Sequence, residues 1–431
     1  MNFLQILFIV LLIAKWSADF ALDWLNRRYV LAKAREFESN GFATAPKLRD
    51  ESLYKNYGKS VRYTVEKIDF GFFEMTYDAL RNAALVLFLL APIYSWASGL
   101  IGLENAADGW SSVWREGFVF IAVSLVLSWL SLPFDMYSVF KIEEKYGFNK
   151  SSFGLWCADL LKSTLLTFAI GLPLIWALIA FYYTFPQSWW IIGQCVLFTF
   201  QLFLLVVFPK WILPLFNKLT PLPDGELRER LEALARRTGF VAEKIEVIDG
   251  SKRSGHSNAF FTGFGKWRRI VIYDTLIKQL SPEEIEAVLA HEIGHSRCGH
   301  ITKRLVFAFF MGFVSFGLIG WILNRAVFFE DFGFAYTEGK MFVPALLLLT
   351  HISPLISFWS APVSNYFSRK HEYEADAFAR ETLGTAEPLI SALEKLHTEN
   401  LSNLTPHPLF SAFHYSHPTL FERARALRKN A

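Results

Sequence analysis

Residues 189–213 read WWIIGQCVLFTFQLFLLVVFPKWIL, an apolar stretch long enough to cross a lipid bilayer as a helix. Further apolar stretches of similar length occur at residues 3–22, 80–103, 118–139, 160–185, 305–327 and 342–358. The composition agrees, because 53% of the 431 residues are hydrophobic and only 19% are charged. The sequence therefore predicts a mainly α-helical, polytopic membrane protein with about seven transmembrane helices.

The first apolar stretch resembles a secretory signal in its position. It lacks a basic region before its apolar part, and residues 16–20, Trp-Ser-Ala-Asp-Phe, offer no clear small-x-small cleavage site. We therefore expect this stretch to be retained as a membrane helix.

The distribution of Lys and Arg among the loops predicts the orientation in the membrane. The segment between the first two stretches and the long segment after the fifth are rich in Lys and Arg, whereas residues 104–108, 186–188 and 330–338 are poor in both. Because basic loops stay on the cytoplasmic side, we expect the N-terminus outside and the C-terminus inside.

The alternation of apolar and polar regions predicts four segments. Residues 1–220 would hold membrane helices 1–5 with cytoplasmic loops, residues 221–303 a cytoplasmic α/β segment, residues 304–366 membrane helices 6 and 7, and residues 367–431 a cytoplasmic helical segment. Within the α/β segment, residues 226–237 have helical spacing and residues 244–248 read as a strand. Residues 259–264 and 269–273 read as a hairpin across Gly265, Lys266 and Trp267.

The α/β segment contains the run His291-Glu292-Ile293-Gly294-His295. On a helix, the two histidines lie one turn apart on one face and can bind a single Zn²⁺, while the intervening Glu292 can activate the water on the metal. This run is the known metalloprotease pattern. The alternative is an ordinary amphipathic helix whose histidines face water or a carboxylate.

The residues before this run form a typical helix start. Ser281 is suited to the N-cap, Pro282 to the first helical position and Glu284 to the capping-box position. The sequence therefore predicts that both histidines lie on one continuous helix.

A zinc hydrolase needs a third protein ligand, and the best candidates follow the last apolar stretch. Glu372 and Asp376 are spaced i, i+4 and share a helix face, so Glu372 could bind zinc while Asp376 orients a zinc histidine. His371 and Glu374 are the competing ligands. A charged helix that is simply solvated is the plain alternative.

A strand beside the zinc helix could bind a peptide substrate. Proteases commonly hold a peptide as an extra strand at a sheet edge, which makes Asn258, Ala259 and Phe260 candidate substrate-binding residues. The alternative is that they form a plain hairpin strand.

Cysteine usage and net charge limit the other kinds of site. Cys157, Cys195 and Cys298 are widely scattered and form no CxxC pair, so we expect neither a disulfide framework nor a cysteine-zinc site. The formal net charge of +3 is mild and argues neither for nor against binding of nucleic acid, and we expect no nucleic-acid partner.

Taken together, the motifs resemble those of the integral-membrane CAAX prenyl endopeptidases. The resemblance covers nearly the whole chain. It is carried by His291-Glu292-Ile293-Gly294-His295, Ser368-Arg369 followed by Glu372, Ala375-Asp376, Ser416-His417-Pro418 with Arg423, and residues 142–149, 254–261 and 274–276.

The resemblance implies a specific fold and chemistry. It implies seven membrane helices around a large hydrated chamber, with a zinc site at the cytoplasmic end, and cleavage of the terminal tripeptide after a prenylated cysteine. His291, His295 and Glu372 would hold one Zn²⁺ per chain, and Glu292 would be the general base. His417 and Arg423 would contact substrate or stabilise the oxyanion.

Two other functions remain open from the sequence. One is a membrane-protein quality-control metalloprotease with broader substrates, and the other is a non-enzymatic membrane protein that binds zinc structurally. The host membrane is equally open, because a bacterial plasma membrane and an endoplasmic reticulum both fit the sequence.

Overall fold

The computed structural model describes residues 1–40, 51–103, 110–241, 243–263 and 268–429. Within these residues, seven helices are long and apolar enough to cross a membrane, which confirms the predicted polytopic helical architecture. They are Phe3–Ser39, Lys55–Leu100, Trp110–Trp129, Phe153–Thr184, Trp189–Phe216, His300–Ile322 and Phe342–Leu383.

The N-terminal half consists of helices, several of which are joined by π-helical segments. The α-helices are α1 (Phe3–Asn40), α2 (Glu51–Ala84), α3 (Leu90–Leu100), α4 (Trp110–Trp129), α5 (Leu132–Tyr137), α6 (Glu144–Tyr146), α7 (Phe153–Leu166), α8 (Leu172–Thr184), α9 (Trp189–Val207) and α10 (Leu213–Phe216). The π-helical segments are Leu85–Leu89, Ser138–Glu143, Thr167–Gly171 and Phe208–Ile212.

The C-terminal half adds a small sheet to further helices. The helices are α11 (Glu226–Thr238), α12 (Asp274–Gln279), α13 (Pro282–Arg297), α14 (His300–Ile322), α15 (Ala326–Glu330), α16 (Phe342–Ser357), α17 (Ala361–Leu383), α18 (Glu387–Glu399), α19 (Pro408–His414) and α20 (Leu420–Lys429). The strands are β1 (Leu219–Pro221), β2 (Lys244–Ile248), β3 (Ala259–Thr262) and β4 (Arg269–Tyr273).

Two predicted spans end earlier than hydropathy indicates. The span predicted at 118–139 is not one helix, because α4 ends at Trp129 and α5 begins at Leu132 with Pro133 in its first turn. Proline has no N–H to donate, so it cannot continue the preceding helix. The span predicted at 305–327 likewise ends at Ile322, and the following chain turns before α15.

The first two helices extend well beyond their apolar stretches. α1 reaches Asn40 and α2 begins at Glu51, and in these extensions Val30, Phe37 and Val61 are buried. They belong to the core of the α/β region, so tertiary packing stabilises helical turns that hydropathy alone did not predict.

The four strands form one mixed sheet in the order β1-β2-β4-β3. β2 and β4 are parallel, whereas β1 pairs antiparallel with β2 and β3 antiparallel with β4. The predicted hairpin strands are present as β3 and β4. The predicted turn at Gly265, Lys266 and Trp267, and the predicted basic-poor loop at 104–108, lie outside the described residues.

One hydrophobic core joins the sheet to helices from both predicted cytoplasmic segments. Leu234 of α11, Ile270 of β4, Ile293 of α13 and Ile390 of α18 are all fully buried in it. The segment at 221–303 and the segment at 367–431 therefore pack as a single body around α13.

A second core lies among the membrane helices. It is rich in aromatic side chains, and Trp189 of α9 packs edge-to-face on Phe342 of α16 with ring centroids 5.2 Å apart. This core holds the membrane helices together beside the α/β region.

Candidate metal centre and active site

Helix α13 starts where the sequence predicts. Ser281 Oγ accepts a hydrogen bond from the Glu284 backbone N–H at 3.3 Å, and a Glu284 carboxylate oxygen accepts one from the Ser281 N–H at 2.7 Å. This reciprocal capping box, with Pro282 in the first turn, fixes the helix start. His291 and His295 consequently lie one turn apart on a single helix.

Helix α17 crosses α13 at a small residue. A Cβ atom placed on Gly294 would lie 3.0 Å from both the Cα and the carbonyl oxygen of Ala375. The absent side chain lets the two backbones approach closely, which brings Glu372 of α17 beside the histidines of α13.

Three candidate ligand atoms converge between these helices. His291 Nε2 lies 3.2 Å from His295 Nε2 and 3.3 Å from a Glu372 oxygen, and His295 Nε2 lies 3.2 Å from the other Glu372 oxygen. Among the described residues, this is the one group of three His, Cys, Asp or Glu side chains that could hold a metal.

The spacing of these atoms fits a tetrahedral metal ion. Ligand atoms about 2.0–2.1 Å from such an ion lie about 3.3 Å from one another, close to the distances found here. Glu372 is 2% exposed, and one of its oxygens is buried without a hydrogen-bond partner. A buried carboxylate oxygen is costly to leave unpaired, and a cation at this point would satisfy it.

A buried ion pair supports the first histidine from behind. Asp376 Oδ1 lies 2.9 Å from His291 Nδ1, and the Arg423 guanidinium donates to both Asp376 oxygens at 2.9 and 2.5 Å. Asp376 and Arg423 are 2% and 7% exposed. Asp376 therefore sits where a carboxylate would fix the tautomer and orientation of His291.

The charges around His291 favour a cation at the centre. Burial and the Arg423 guanidinium lower the pKa of His291, but the adjacent carboxylates of Asp376 and Glu372 outweigh them and raise it to about 9. The same carboxylates that stabilise a proton on this ring would stabilise a metal ion bound to it.

Glu292 lies beside this centre without joining the three ligand atoms. Its side chain is half-buried, and burial raises the pKa of the Glu292 carboxyl although His291 and His295 act in the opposite direction. A carboxylate whose proton affinity is raised in this way is suited to proton transfer.

The competing ligands, His371 and Glu374, point away from the centre. A Glu374 oxygen lies 2.9 Å from His300 Nε2, and His371 stacks on the His300 ring with centroids 4.0 Å apart. His300 is a residue of this site that was not predicted from the sequence. Its position five residues after His295 and directly after Gly299 was the available signal.

His417 lies at the rim of the centre. Its Nε2 is 3.5 Å from a Glu372 oxygen, its Nδ1 is 2.9 Å from Ser416 Oγ, and its side chain is 64% exposed. Desolvation of the ring by the surrounding protein lowers the pKa of His417, and Arg423 acts in the same direction against the opposing Glu372 carboxylate, so we expect a neutral ring at pH 7.

A cavity of about 810 Å³ adjoins this rim. His417 and Arg423 line it together with Lys67, His256 and Asn400. His397 also lines it, and burial lowers the pKa of His397 to about 4 with Arg423 contributing. The cavity is therefore polar where it meets the candidate metal centre.

Strand β3 lies at one edge of the sheet and packs beside α13. The Asn258 carbonyl accepts from the Tyr273 N–H at 3.1 Å, which pairs Asn258 with β4. Along an antiparallel strand, the backbone N–H and C=O groups of successive residues point alternately to one side and the other. The backbone groups of Phe260 therefore also point toward β4, whereas those of Ala259 and Phe261 point toward the open edge. Of the predicted residues, Ala259 is thus placed to pair with an added strand, and the prediction stopped one residue short of Phe261.

Both halves of the chain match known protein families. Residues 39–218 match the family described as CAAX prenyl protease N-terminal, five membrane helices, and residues 221–431 match peptidase family M48. The chain is 38% identical to CAAX prenyl protease 1 of Saccharomyces cerevisiae, covering 89% of this chain and 88% of that protein. It is 31% identical to the CAAX prenyl protease 1 homolog of Homo sapiens, covering 94% and 93%.

A solved structure has the same architecture. The crystal structure of S. mikatae Ste24p matches with a TM-score of 0.85 and 34% sequence identity, and the match covers 99% of each chain. This chain therefore belongs to peptidase family M48 and is a multi-pass integral-membrane metalloprotease with the N-terminal membrane helices of the CAAX prenyl proteases.

Proposed function

We propose that this protein is a zinc endopeptidase that removes the C-terminal tripeptide from prenylated CAAX proteins or peptides. The observation that carries the proposal is the convergence of His291, His295 and Glu372 at tetrahedral spacing, with Glu292 beside them. The names of its relatives, which are CAAX prenyl proteases, support this substrate class.

Zinc is the metal that best fits this set of donors. Two imidazoles and one carboxylate form a common catalytic zinc set, which leaves a fourth coordination position for a reactant. When bound, the ion supplies an acidified water and polarises the scissile carbonyl. The arrangement, with two histidines on one helix and a glutamate on another, is that of the gluzincins.

Glu292 would act as the general base and then as the general acid. Its carboxylate accepts a proton from the attacking water and returns it to the leaving amine when the peptide bond breaks. Burial, which raises the pKa of Glu292, favours this role because the carboxylate becomes a stronger base.

Arg423 and His417 would stabilise the oxyanion that forms on the scissile carbonyl. Arg423 is held by Asp376 and reaches to 3.8 Å from a Glu372 oxygen, so its cationic group lies beside the reacting centre. His417 faces the adjoining cavity. A preorganised donor of this kind contributes roughly 3 kcal/mol to transition-state stabilisation.

The peptide would bind as an added strand along β3. Asn258, Ala259 and Phe260 lie at or beside this sheet edge, next to the helix that bears His291 and His295. Backbone hydrogen bonds to an edge strand hold a peptide extended, which presents its carbonyl groups to the metal centre.

A structural zinc site would look different. Such sites normally have four protein ligands and no carboxylate poised for proton transfer. Three ligands and an adjacent Glu292 favour catalysis over a scaffold role.

The basic loops support a cytoplasmic position for the metal centre. The relatives of this protein are eukaryotic, which favours the endoplasmic reticulum over a bacterial plasma membrane as its host membrane. C-terminal cysteine motifs are prenylated on cytoplasmic proteins, which agrees with this orientation.

A paired peptide assay tests the proposal. The purified protein in lipid vesicles is given a farnesylated CAAX peptide or its unprenylated twin, with and without a zinc chelator. We expect cleavage three residues from the C-terminus, much faster for the farnesylated peptide and abolished by the chelator until zinc is returned. Equal rates for the two peptides would instead favour a quality-control protease with broader substrates, and cleavage that survives the chelator would exclude the metal mechanism.

A further inference from the structure

The second candidate ligand, His295, has a partner that the proposed chemistry does not use. Its Nδ1 lies 3.0 Å from Nδ1 of His300, and Nε2 of His300 lies 2.9 Å from a Glu374 oxygen. His300 is only 1% exposed. The three side chains thus form a line from the metal centre to the edge of the α/β region.

One assignment of protons satisfies every contact in this line. His295 presents Nε2 to the other ligand atoms, so its proton must lie on Nδ1 if it binds a metal as a neutral ring. His300 Nδ1 must then accept that proton's hydrogen bond, which leaves the His300 proton on Nε2. Glu374 is an acceptor and completes the line.

The local fold builds this contact from three helices. Gly299, with a left-handed φ of 71°, turns the chain between α13 and α14 and makes His300 the first residue of α14. His371 of α17 stacks on His300 at an interplanar angle of 16°, and Glu374 comes from the same helix. The ring of His300 is therefore held by the stacked ring of His371 and by contacts at both of its nitrogens.

The two candidate histidine ligands are supported in different ways. His291 has the carboxylate of Asp376 directly at its Nδ1, whereas Nδ1 of His295 reaches a carboxylate only through the ring of His300. A metal-bound histidine nearly always donates its other N–H to such a partner, which fixes its tautomer and orientation. His300 occupies that place for His295.

We propose that His300, supported by Glu374, is a positioning residue that holds His295 in the tautomer and orientation needed to bind zinc. The inference rests on the zinc site of the proposed function. Neither ring nitrogen of His300 is directed at the three ligand atoms, so His300 acts through His295.

The first test compares His300→Asn with His300→Leu in the full-length protein. The Asn side-chain oxygen can take the place of Nδ1 and accept from His295, whereas Leu cannot. Zinc affinity is measured by competition with a chelator of known affinity. We expect His300→Leu to bind zinc about 10–100-fold more weakly than the unmodified protein, with His300→Asn between them.

A second variant tests the same line from its exposed end. The Glu374 side chain is 36% exposed, so Glu374→Ala leaves the core intact and decides the matter if His300→Leu fails to fold. We expect zinc affinity to fall by about tenfold, the lower end of such effects. His371→Phe is the matched control, because it keeps the stacked ring beside His300, and we expect its zinc affinity to be unchanged.

The outcomes separate this inference from the proposed function. If the unmodified protein binds no zinc, the proposed function fails. If it binds zinc, and Glu374→Ala and His300→Leu bind zinc as tightly as the unmodified protein does, the role of His300 is overturned. The role is also overturned if His371→Phe loses as much zinc affinity as those two variants. The melting temperature of each variant is also measured after its metal has been removed. Equal melting temperatures across the variants show that a difference in folding does not explain a difference in zinc affinity.

Discussion

Glu292 is a candidate for proton transfer, whereas its neighbours His291 and His295 on α13 are candidates for metal binding. It lies next to the ligand candidate His291, yet its oxygens do not belong to the convergent group formed with His295 and Glu372. A change that removes its charge should therefore separate proton transfer from metal binding.

We expect Glu292→Gln to lower cleavage of a farnesylated CAAX peptide by a factor of at least about 10²–10⁴, because an amide cannot accept the proton from water. Zinc content, measured by elemental analysis, should remain at one ion per chain. Glu283→Gln on the exposed first turn of the same helix is the control and should retain activity. Retained cleavage in Glu292→Gln would contradict the assigned mechanism.

At the scale of helices, the site depends on how closely α13 and α17 approach. Gly294 and Ala375 form the contact point, and a side chain at Gly294 would press against backbone atoms of α17 that cannot rotate away. The candidate ligands come from both helices, so their separation sets the distances between the ligand atoms.

Gly294→Ala should lower the stability of the protein by about 1–3 kcal/mol through overpacking. Helix propensity alone would give the opposite sign, because Ala favours a helix by about 1 kcal/mol relative to Gly. Gly154→Ala in α7 is the matched control, since its new Cβ would meet no atom within 4 Å. Thermal unfolding of both variants in detergent checks this, and a stabilised Gly294→Ala would show that the contact is not tight.

The contact between α13 and α18 contains a buried carboxylate that should titrate at low pH. Burial by itself raises the pKa of Glu284, but hydrogen bonds from Lys395 at 2.8 Å, from Ser391 at 2.7 Å and from the Ser281 backbone outweigh it and lower the pKa. A carboxyl group with a lowered pKa stabilises the fold only when it is ionised.

Glu284→Gln should therefore destabilise the protein by about 1–3 kcal/mol at pH 7, because charged hydrogen bonds are lost at a buried position. The stability from ionised Glu284 is fully present above its unfolded pKa of about 4.3 and disappears as the pH falls through the lower folded value. The difference between variant and unmodified protein should thus shrink below about pH 4. Urea unfolding between pH 3 and 7 measures it, with the exposed Glu229→Gln as control. A difference that does not change with pH would contradict this account.

For the whole molecule, seven spans place the α/β region and the loop before α16 on opposite sides of the membrane. We expect the α/β region to lie on the cytoplasmic side, because the loops on its side of the membrane are rich in Lys and Arg. This orientation decides which compartment supplies the substrate of the metal centre.

Labelling of single cysteines should report this orientation. In a variant whose three native cysteines are replaced by Ala, Asp224→Cys should react with a membrane-impermeant reagent only from the cytoplasmic side, because Asp224 is 94% exposed before α11. Glu338→Cys, exposed in the loop before α16, should react only from the opposite side. Labelling of both positions from the same side would show that an even number of spans separates them. That result would contradict the membrane arrangement proposed here.

Local features of the chain were predictable because their causes are local. The start of α13 depends on Ser281, Pro282 and Glu284, and the shared face of His291 and His295 follows from helical periodicity. The number of spans follows from the length of the apolar runs. Their ends did not follow, because Pro133 ends one helix early and packing extends α1 and α2 beyond the apolar residues.

The membrane class, the count of spans and the helix that carries the paired histidines follow from the chain's local patterns, since each depends on residues within a few turns of one another. Glu372, His371 and Glu374 lie on one helix and differ in the direction they face, and it is the packing of the folded chain that brings Glu372, rather than the other two, beside His291 and His295. The rotation of α17 against α13 is fixed by their packing at Gly294 and Ala375 and by the Arg423–Asp376 ion pair. Contacts between residues distant in the chain set that rotation, and no local pattern contains it.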